Sequence, residues 1–224
     1  MKRTFFSLAL LLAVATLTAQ TKMTAREAAV KIADRILAST TYEFKNTKTG
    51  EIYKSVKKLP LDMDVKVACK YNNWHYTNGV TNMALMELGD KLGDKKYEKY
   101  VLKNMNFVFN EGNLDFFRKQ YDEAFKRDGW NAVRKLSWHM IFRGKRLDDN
   151  GPMGASLIEL QLKYPNDSFL GYINETAEHL NYGEPRLVDG TIARIWPHVN
   201  TIWADDAFMA ISFLARMGKL TGDE

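Results

Sequence analysis

Two kinds of apolar pattern alternate along this chain. Ala29, Ile32, Ala33, Ile36 and Leu37 recur at helical spacing behind Thr24 and Glu27, a capping-box pair, and predict a first helix. A second helix is predicted from Trp74 to about Leu92 and a third from Lys95 to Phe109. The third is one-sided: Tyr97, Val101, Met105 and Val108 line one face, while Lys95, Lys96, Lys99 and Lys103 line the other. Between the first two helices, residues 44–60 are rich in Lys, Thr and Gly and close at Pro60, which reads as a surface connection. Residues 113–147 are aromatic and basic and read as a helical insertion or a long loop. Pro152 stands where a helix's first residue belongs, with Asn150 or Gly151 as its cap; that helix runs through Leu162 and stops at Lys163-Tyr164-Pro165. Phe169, Ile173, Ala177 and Leu180 mark a further amphipathic helix, and Ala207 to Lys219 the last.

A repeat links these pieces. Trp74…Asp94 and Trp203…Asp223 both place the aspartate twenty positions after the tryptophan, and Leu147…Asp167 has the same length. Each unit is a mostly apolar helix that ends at a polar turn and hands over to an amphipathic one. A helix touching neighbours on several sides is apolar all round, whereas an outer helix is apolar on one stripe. The alternation predicts an all-α toroid of helical hairpins, with an open solenoid as the competing arrangement. The last unit reaches Gly222-Asp223-Glu224 where its outer helix ought to begin, so residues 21–224 are expected to form a partial ring, the N-terminal part of a longer protein.

Composition changes this picture in two places. Lys2 and Arg3, an apolar run from Phe5 to Leu17, and Thr18-Ala19-Gln20 read as a secretory signal peptide over residues 1–20, so the protein is expected to be exported, periplasmic or secreted. Its removal takes two positive charges from the formal +5 and leaves +3, a balance too mild to argue for nucleic acid. No second apolar run offers a membrane span, and no zinc-ligand or Gly-rich phosphate pattern is present in the sequence. Cys69 is the single cysteine, which rules out an internal disulfide and reads as a small packed residue.

The candidate chemistry gathers where polar residues interrupt helix starts. Trp203-Ala204-Asp205-Asp206 precedes the last helix, and Asp148-Asp149-Asn150 precedes the Pro152 helix. Aspartate is a favoured helix cap, so either pair has a structural reading. The catalytic reading needs an acid that still carries its proton near neutral pH, whereas a free aspartate ionises near a pKa of about 3.9. Shelter beside the Trp203 indole and an apolar helix start, or a neighbouring carboxylate, would disfavour the charged form of Asp205. Trp74, Tyr76 and Trp203 are candidates to offer ring faces to a ligand or to fill the core, and Asn78 and His198 are candidates to hydrogen-bond a ligand.

These elements occur in an order that resembles a known family. Trp74-His75-Tyr76-Thr77-Asn78-Gly79, Leu147-Asp148-Asp149-Asn150-Gly151-Pro152-Met153-Gly154-Ala155, Trp196-Pro197-His198 and Trp203-Ala204-Asp205-Asp206-Ala207-Phe208-Met209 are similar to motifs of the unsaturated uronyl hydrolases, glycoside hydrolase families 88 and 105, above all the unsaturated rhamnogalacturonyl hydrolases. The resemblance implies an (α/α)6 barrel that removes a 4,5-unsaturated uronic acid from the end of an oligosaccharide left by a polysaccharide lyase. It implies hydration of the C4=C5 vinyl ether rather than displacement between paired carboxylates. Asp205 falls on the family's general acid/base, and Asp149 on the aspartate that holds substrate hydroxyls, with Asp148 beside it. Arg194 falls on a position that is basic or histidine in the family. No metal or organic cofactor is implied, and the partner is a small oligosaccharide. The alternative is a catalytically silent helical fragment that binds sugar or protein.

Overall fold

The capping box predicted at Thr24 is present in both directions. In the computed structural model, which describes residues 23–143 and 147–223, the Thr24 backbone N–H donates to Glu27 Oε2 at 2.8 Å and the Glu27 N–H donates to Thr24 Oγ1 at 3.2 Å. Together they open α1, Ala25–Ser39. The chain divides at Arg35 into two units, and the rest of the fold belongs to the second, from Ile36 onward. The signal-peptide reading of residues 1–20 falls outside the described residues.

The Lys/Thr/Gly-rich stretch is not a plain connection. Three short strands, β1 (Phe44–Asn46), β2 (Ile52–Tyr53) and β3 (Val65–Val67), form an antiparallel sheet in the order β2-β1-β3. Asn46 turns the chain, accepting the Lys48 and Thr49 amides on its Oδ1, and Gly50 takes a φ of 77° that favours glycine. Strands this brief give period-two alternation over only two or three residues, too short to separate from a loop in sequence. Phe44, Val65 and Val67 point inward, and Phe44 packs on Phe107, Phe116 and Phe117.

Helices make up the remainder. α2 (Tyr76–Leu92) ends at Gly93 in the left-handed region, with φ 66°, and returns through α3 (Lys96–Val108). The region that sequence could not place, 113–147, is largely one element: α4 (Glu111–Val133), kinked at Asp128–Gly129, where Gly129 has φ 50°. A 3-10 turn, His139–Phe142, follows it. α5 begins at Leu147, not at Pro152, and runs to Lys163. The proline sits inside its second turn rather than at the first position. α6 (Asp167–Glu178) continues into a single π-helical turn, His179–Gly183, and α7 covers Ala204–Thr221, three residues earlier than its predicted start.

The inner and outer roles follow the predicted alternation. Nearly every residue of α5 from Leu147 to Leu160 is buried, whereas α3 and α6 bury one stripe each. α5 packs against both α2 and α7, and the pairings Tyr76 with Asp149, Asp90 with Lys163, Gly151 with Met209 and Glu159 with Arg216 make the three parallel. Tyr76 meets Asp149 and Asp90 meets Lys163, both pairs 73 positions apart, and that offset equals the spacing from Trp74 to Leu147 in the repeat. The architecture is therefore all-α, built from helical hairpins in the manner of an α/α toroid, with the small sheet packed on its side. Glycines set the interhelical distance. A Cβ on Gly79 would lie 2.5 Å from the Met153 nitrogen, and one on Gly151 would lie 2.6 Å from the Met209 carbonyl oxygen. Both contacts are near the N-terminal ends, so the starts of α2, α5 and α7 are drawn together.

Candidate active site

Parallel inner helices with converging N-termini bring their first-turn side chains to one place. Asp148 of α5 and Asp205 and Asp206 of α7 each offer a carboxylate oxygen, and these oxygens lie within 4.8 Å of one another. Three helix N-termini add positive partial charge at the same end, which offsets part of the acidic repulsion. Asp206 is buried at 5 % exposure, Asp148 is half-buried, and the Asp205 side chain is 53 % exposed. Burial raises the Asp148 carboxyl above its ordinary value; Arg194 works against that rise and Asp206 adds to it.

Arg194 supplies the cation. Its Nε and Nη2 both donate to Asp206, the latter at 2.7 Å, and Nη2 also donates to Asp148 Oδ1 at 3.1 Å. Asp205 Oδ2 is 4.0 Å from the same nitrogen. The guanidinium lies over the Trp203 indole, 4.1 Å from the ring centroid. Arg194 reaches this position from a loop closed by two antiparallel bridges, Arg186 with Ile192 and Arg194 with Thr201. A cavity of about 430 Å³ adjoins the cluster, lined among others by Asp148, Arg194, Asp206, Trp196, His179 and Glu184. Its size is that of a small-ligand site.

The predicted residues separate into those that face this place and those that do not. Asp205 does, at the second position of α7, where its Oδ1 accepts the Asp206 N–H at 3.0 Å. Its expected shelter is not the one found, because the Trp203 indole covers Arg194 instead. Trp203 and Tyr76 are each 40 % exposed, one at the start of α7 and the other at the start of α2. Asp149 is 3 % exposed and turned toward α2, where its Oδ1 accepts the Tyr76 N–H at 3.2 Å. It is the neighbouring Asp148 that joins the acidic group. Trp74 is fully buried against Phe109, Trp138 and Tyr172 and leaves no ring face for a sugar. Asn78 is buried too, its amide donating to the Lys70 and Asn73 carbonyls, so it fastens the loop ahead of α2. His198 is exposed on the loop between the two strands of the Arg194–Thr201 bridge.

Sequence reasoning did not foresee the parts played by Arg194 and Asp206. The Asp205-Asp206 pair is visible in the chain, but Arg194 is joined to it only through an irregular loop that carries no periodic pattern.

The helical-hairpin scaffold thus gathers first-turn aspartates at the N-termini of its inner helices, beside a cavity, and supplies carboxyl groups of the kind general acid–base catalysis uses. The chain belongs to Glycosyl Hydrolase Family 88, which it matches over residues 51–224, and that membership supports a hydrolase acting on uronic-acid-containing sugars. No curated protein matches the chain.

Proposed function

We propose that this protein is an exported glycosidase that removes a terminal 4,5-unsaturated uronic acid from oligosaccharides made by polysaccharide lyases. The observation that carries this reading is the meeting of Asp148, Asp205 and Asp206 within 4.8 Å, with Asp205 the member open to a ligand. Within the group, burial and then the neighbouring Asp206 hold the Asp148 carboxyl above its ordinary value against the pull of Arg194, so a proton is kept close to Asp205. Asp205 delivers that proton to C4 of the vinyl ether, and water adds at C5, returning a proton to the Asp205 carboxylate. The hemiketal opens to a C5 ketone, leaving the ring oxygen as a hydroxyl on C1, and this C1 hemiacetal collapses to an aldehyde as it releases the adjoining sugar as an alcohol. Positioned proton transfer of this kind contributes roughly 10²–10⁴-fold in rate. The family motif gives the hydroxyl-holding role to Asp149; because Asp149 is buried against α2, we assign that role to Asp148. Tyr76 at the start of α2 and Trp203 at the start of α7 are each part-exposed aromatics.

Incubation with an unsaturated uronyl disaccharide, followed by loss of the double bond's ultraviolet absorbance, tests the reading. Asp205→Asn should lower turnover by about 10²–10⁴-fold while the thermal midpoint stays close to that of the parent. An Asp205→Asn variant that retains full activity removes the assignment. The openness of Asp205 to solvent favours one rival, a helical fragment that binds sugar without turning it over. Retention of the absorbance by the parent protein, with measurable binding of the disaccharide, would establish that rival.

A further inference from the structure

Four aspartates lie at the starts of α5 and α7, and a single guanidinium is bonded among them. Two features mark that guanidinium as more than a surface ion pair. It is bound on two sides, by Asp206 of α7 through both Nε and Nη2 and by Asp148 of α5 through Nη2, so it bridges the two helices that carry the acidic group. It is also backed by the Trp203 indole, and its side chain is only 19 % exposed. A planar fork held on an aromatic face has little freedom to rotate, and the carboxylates that receive it are fixed with it.

We propose that Arg194 is a positioning residue for the reaction: by bonding Asp206 and Asp148 together it fixes the first turn of α7 and thereby aims the Asp205 carboxyl. The proposal rests on the catalytic reading of Asp205 given above. The link from Arg194 to Asp205 is short. Asp206 is the next residue, its N–H is held by Asp205 Oδ1, and its carboxylate is held by Arg194. With the fork removed, Asp206 would be a buried carboxylate stripped of its charge partner, and the turn that orients Asp205 would be free to relax. The charged and titratable groups around the fork are Asp148 and Asp149 on α5, Asp205 and Asp206 on α7, and His179 and Glu184 across the cavity; His139 adjoins Asp149. His179 and Glu184 are bonded to each other at 2.7 Å. Arg194 is thus the one guanidinium among the described residues with direct hydrogen bonds into the acidic group.

Two variants and two readouts test the proposal. Arg194→Lys keeps the charge but cannot bridge both carboxylates as a fork, and Arg194→Gln removes the charge. With the unsaturated disaccharide, Arg194→Lys is expected to lose about 100-fold in kcat with KM changed by less than threefold, as for a misplaced reacting group. Arg194→Gln is expected to lose at least as much, with guanidinium ion restoring part of the rate. Independently of turnover, the Asp148 carboxyl carbon, followed by NMR, should titrate at higher pH in Arg194→Gln than in the parent, because the cation that opposes its rise is gone. Circular dichroism of each variant establishes folding, and the Lys variant decides if the Gln variant does not fold. Parent-like kcat in a folded Arg194→Lys overturns the proposal, as does an unmoved Asp148 titration in a folded Arg194→Gln. A parent protein that leaves the disaccharide intact removes the proposed function instead, and the Asp148 titration then still judges the clamp.

Discussion

Asp148 and Asp149 are consecutive, chemically identical and differently employed. Successive residues on an α-helix point about 100° apart, so one carboxylate faces α7 and the other α2. Asp149 accepts the N–H of Tyr76, the first residue of α2, and places a negative charge at that helix's positive end. Asp148 is held above its ordinary value by burial and by the carboxylates of its neighbours. Opposite signs are therefore expected for the same substitution. Asp149→Asn should lower the thermal midpoint at pH 7, corresponding to roughly 0.5–1 kcal/mol for a lost charge–dipole contact. Asp148→Asn should raise it, by up to about 1 kcal/mol, in the manner of sites where function holds a group in an unfavourable state. Calorimetry on the two variants checks this, and shifts of the same sign in both would contradict the assignment of the two faces.

At the scale of elements, the long periodic helices were legible in the sequence and the short or irregular pieces were not. α3 was readable because Tyr97, Val101, Met105 and Val108 recur on one stripe, all buried in the fold. The inner character of α5 was readable because its apolar residues have no stripe. Its start was misread because Pro152 resembles a first-turn proline; here the proline is tolerated inside the helix, where Gly79 of α2 leaves room for its ring. The three strands and the Arg194 loop were illegible because neither offers periodicity, and the repeat shows where the helices converge but not which carboxylate each turn presents. The close approach at Gly79 gives an element-scale prediction. Gly79→Ala would set a Cβ 2.5 Å from backbone atoms of Pro152 and Met153, which cannot yield as a flexible side chain would. The two helices must separate, at a cost of about 1–3 kcal/mol. Because the separation lies at the N-terminal ends, activity on the disaccharide should fall further than stability does. Urea unfolding together with the absorbance assay checks both parts, and a variant with parent-like values in each would remove the glycine contact from the account of how the site is assembled.

For the molecule as a whole, the groups displaced from their ordinary titration define an acid-sensitive fold. Glu98 is 8 % exposed and accepts from Lys163 and from the Tyr164 hydroxyl, the latter at 2.6 Å. The hydrogen bond from Lys163, then that from Tyr164, hold its carboxyl below the ordinary 4.5. That contribution is fully present above 4.5 and is lost as pH falls through the lower folded-state value. Burial holds His139 below its ordinary 6.5, so the folded state resists protonating it and stability falls as pH drops beneath 6.5. Asp148 acts in the opposite direction, since protonating it relieves a cost borne by the folded state. Stability should therefore decline in two stages on acidification, the first from His139 and the second from Glu98, with Asp148 softening the fall between them. Lys163 is partly open to solvent, so Glu98→Gln should cost only about 1 kcal/mol at pH 7. The decisive feature is convergence. Below the folded-state value of Glu98 the parent protein carries a neutral carboxyl there as well, and urea midpoints of parent and variant should meet near the acid end of the titration. A gap between the two that stays constant from pH 7 downward would place the effect of Glu98 in packing rather than in its charge.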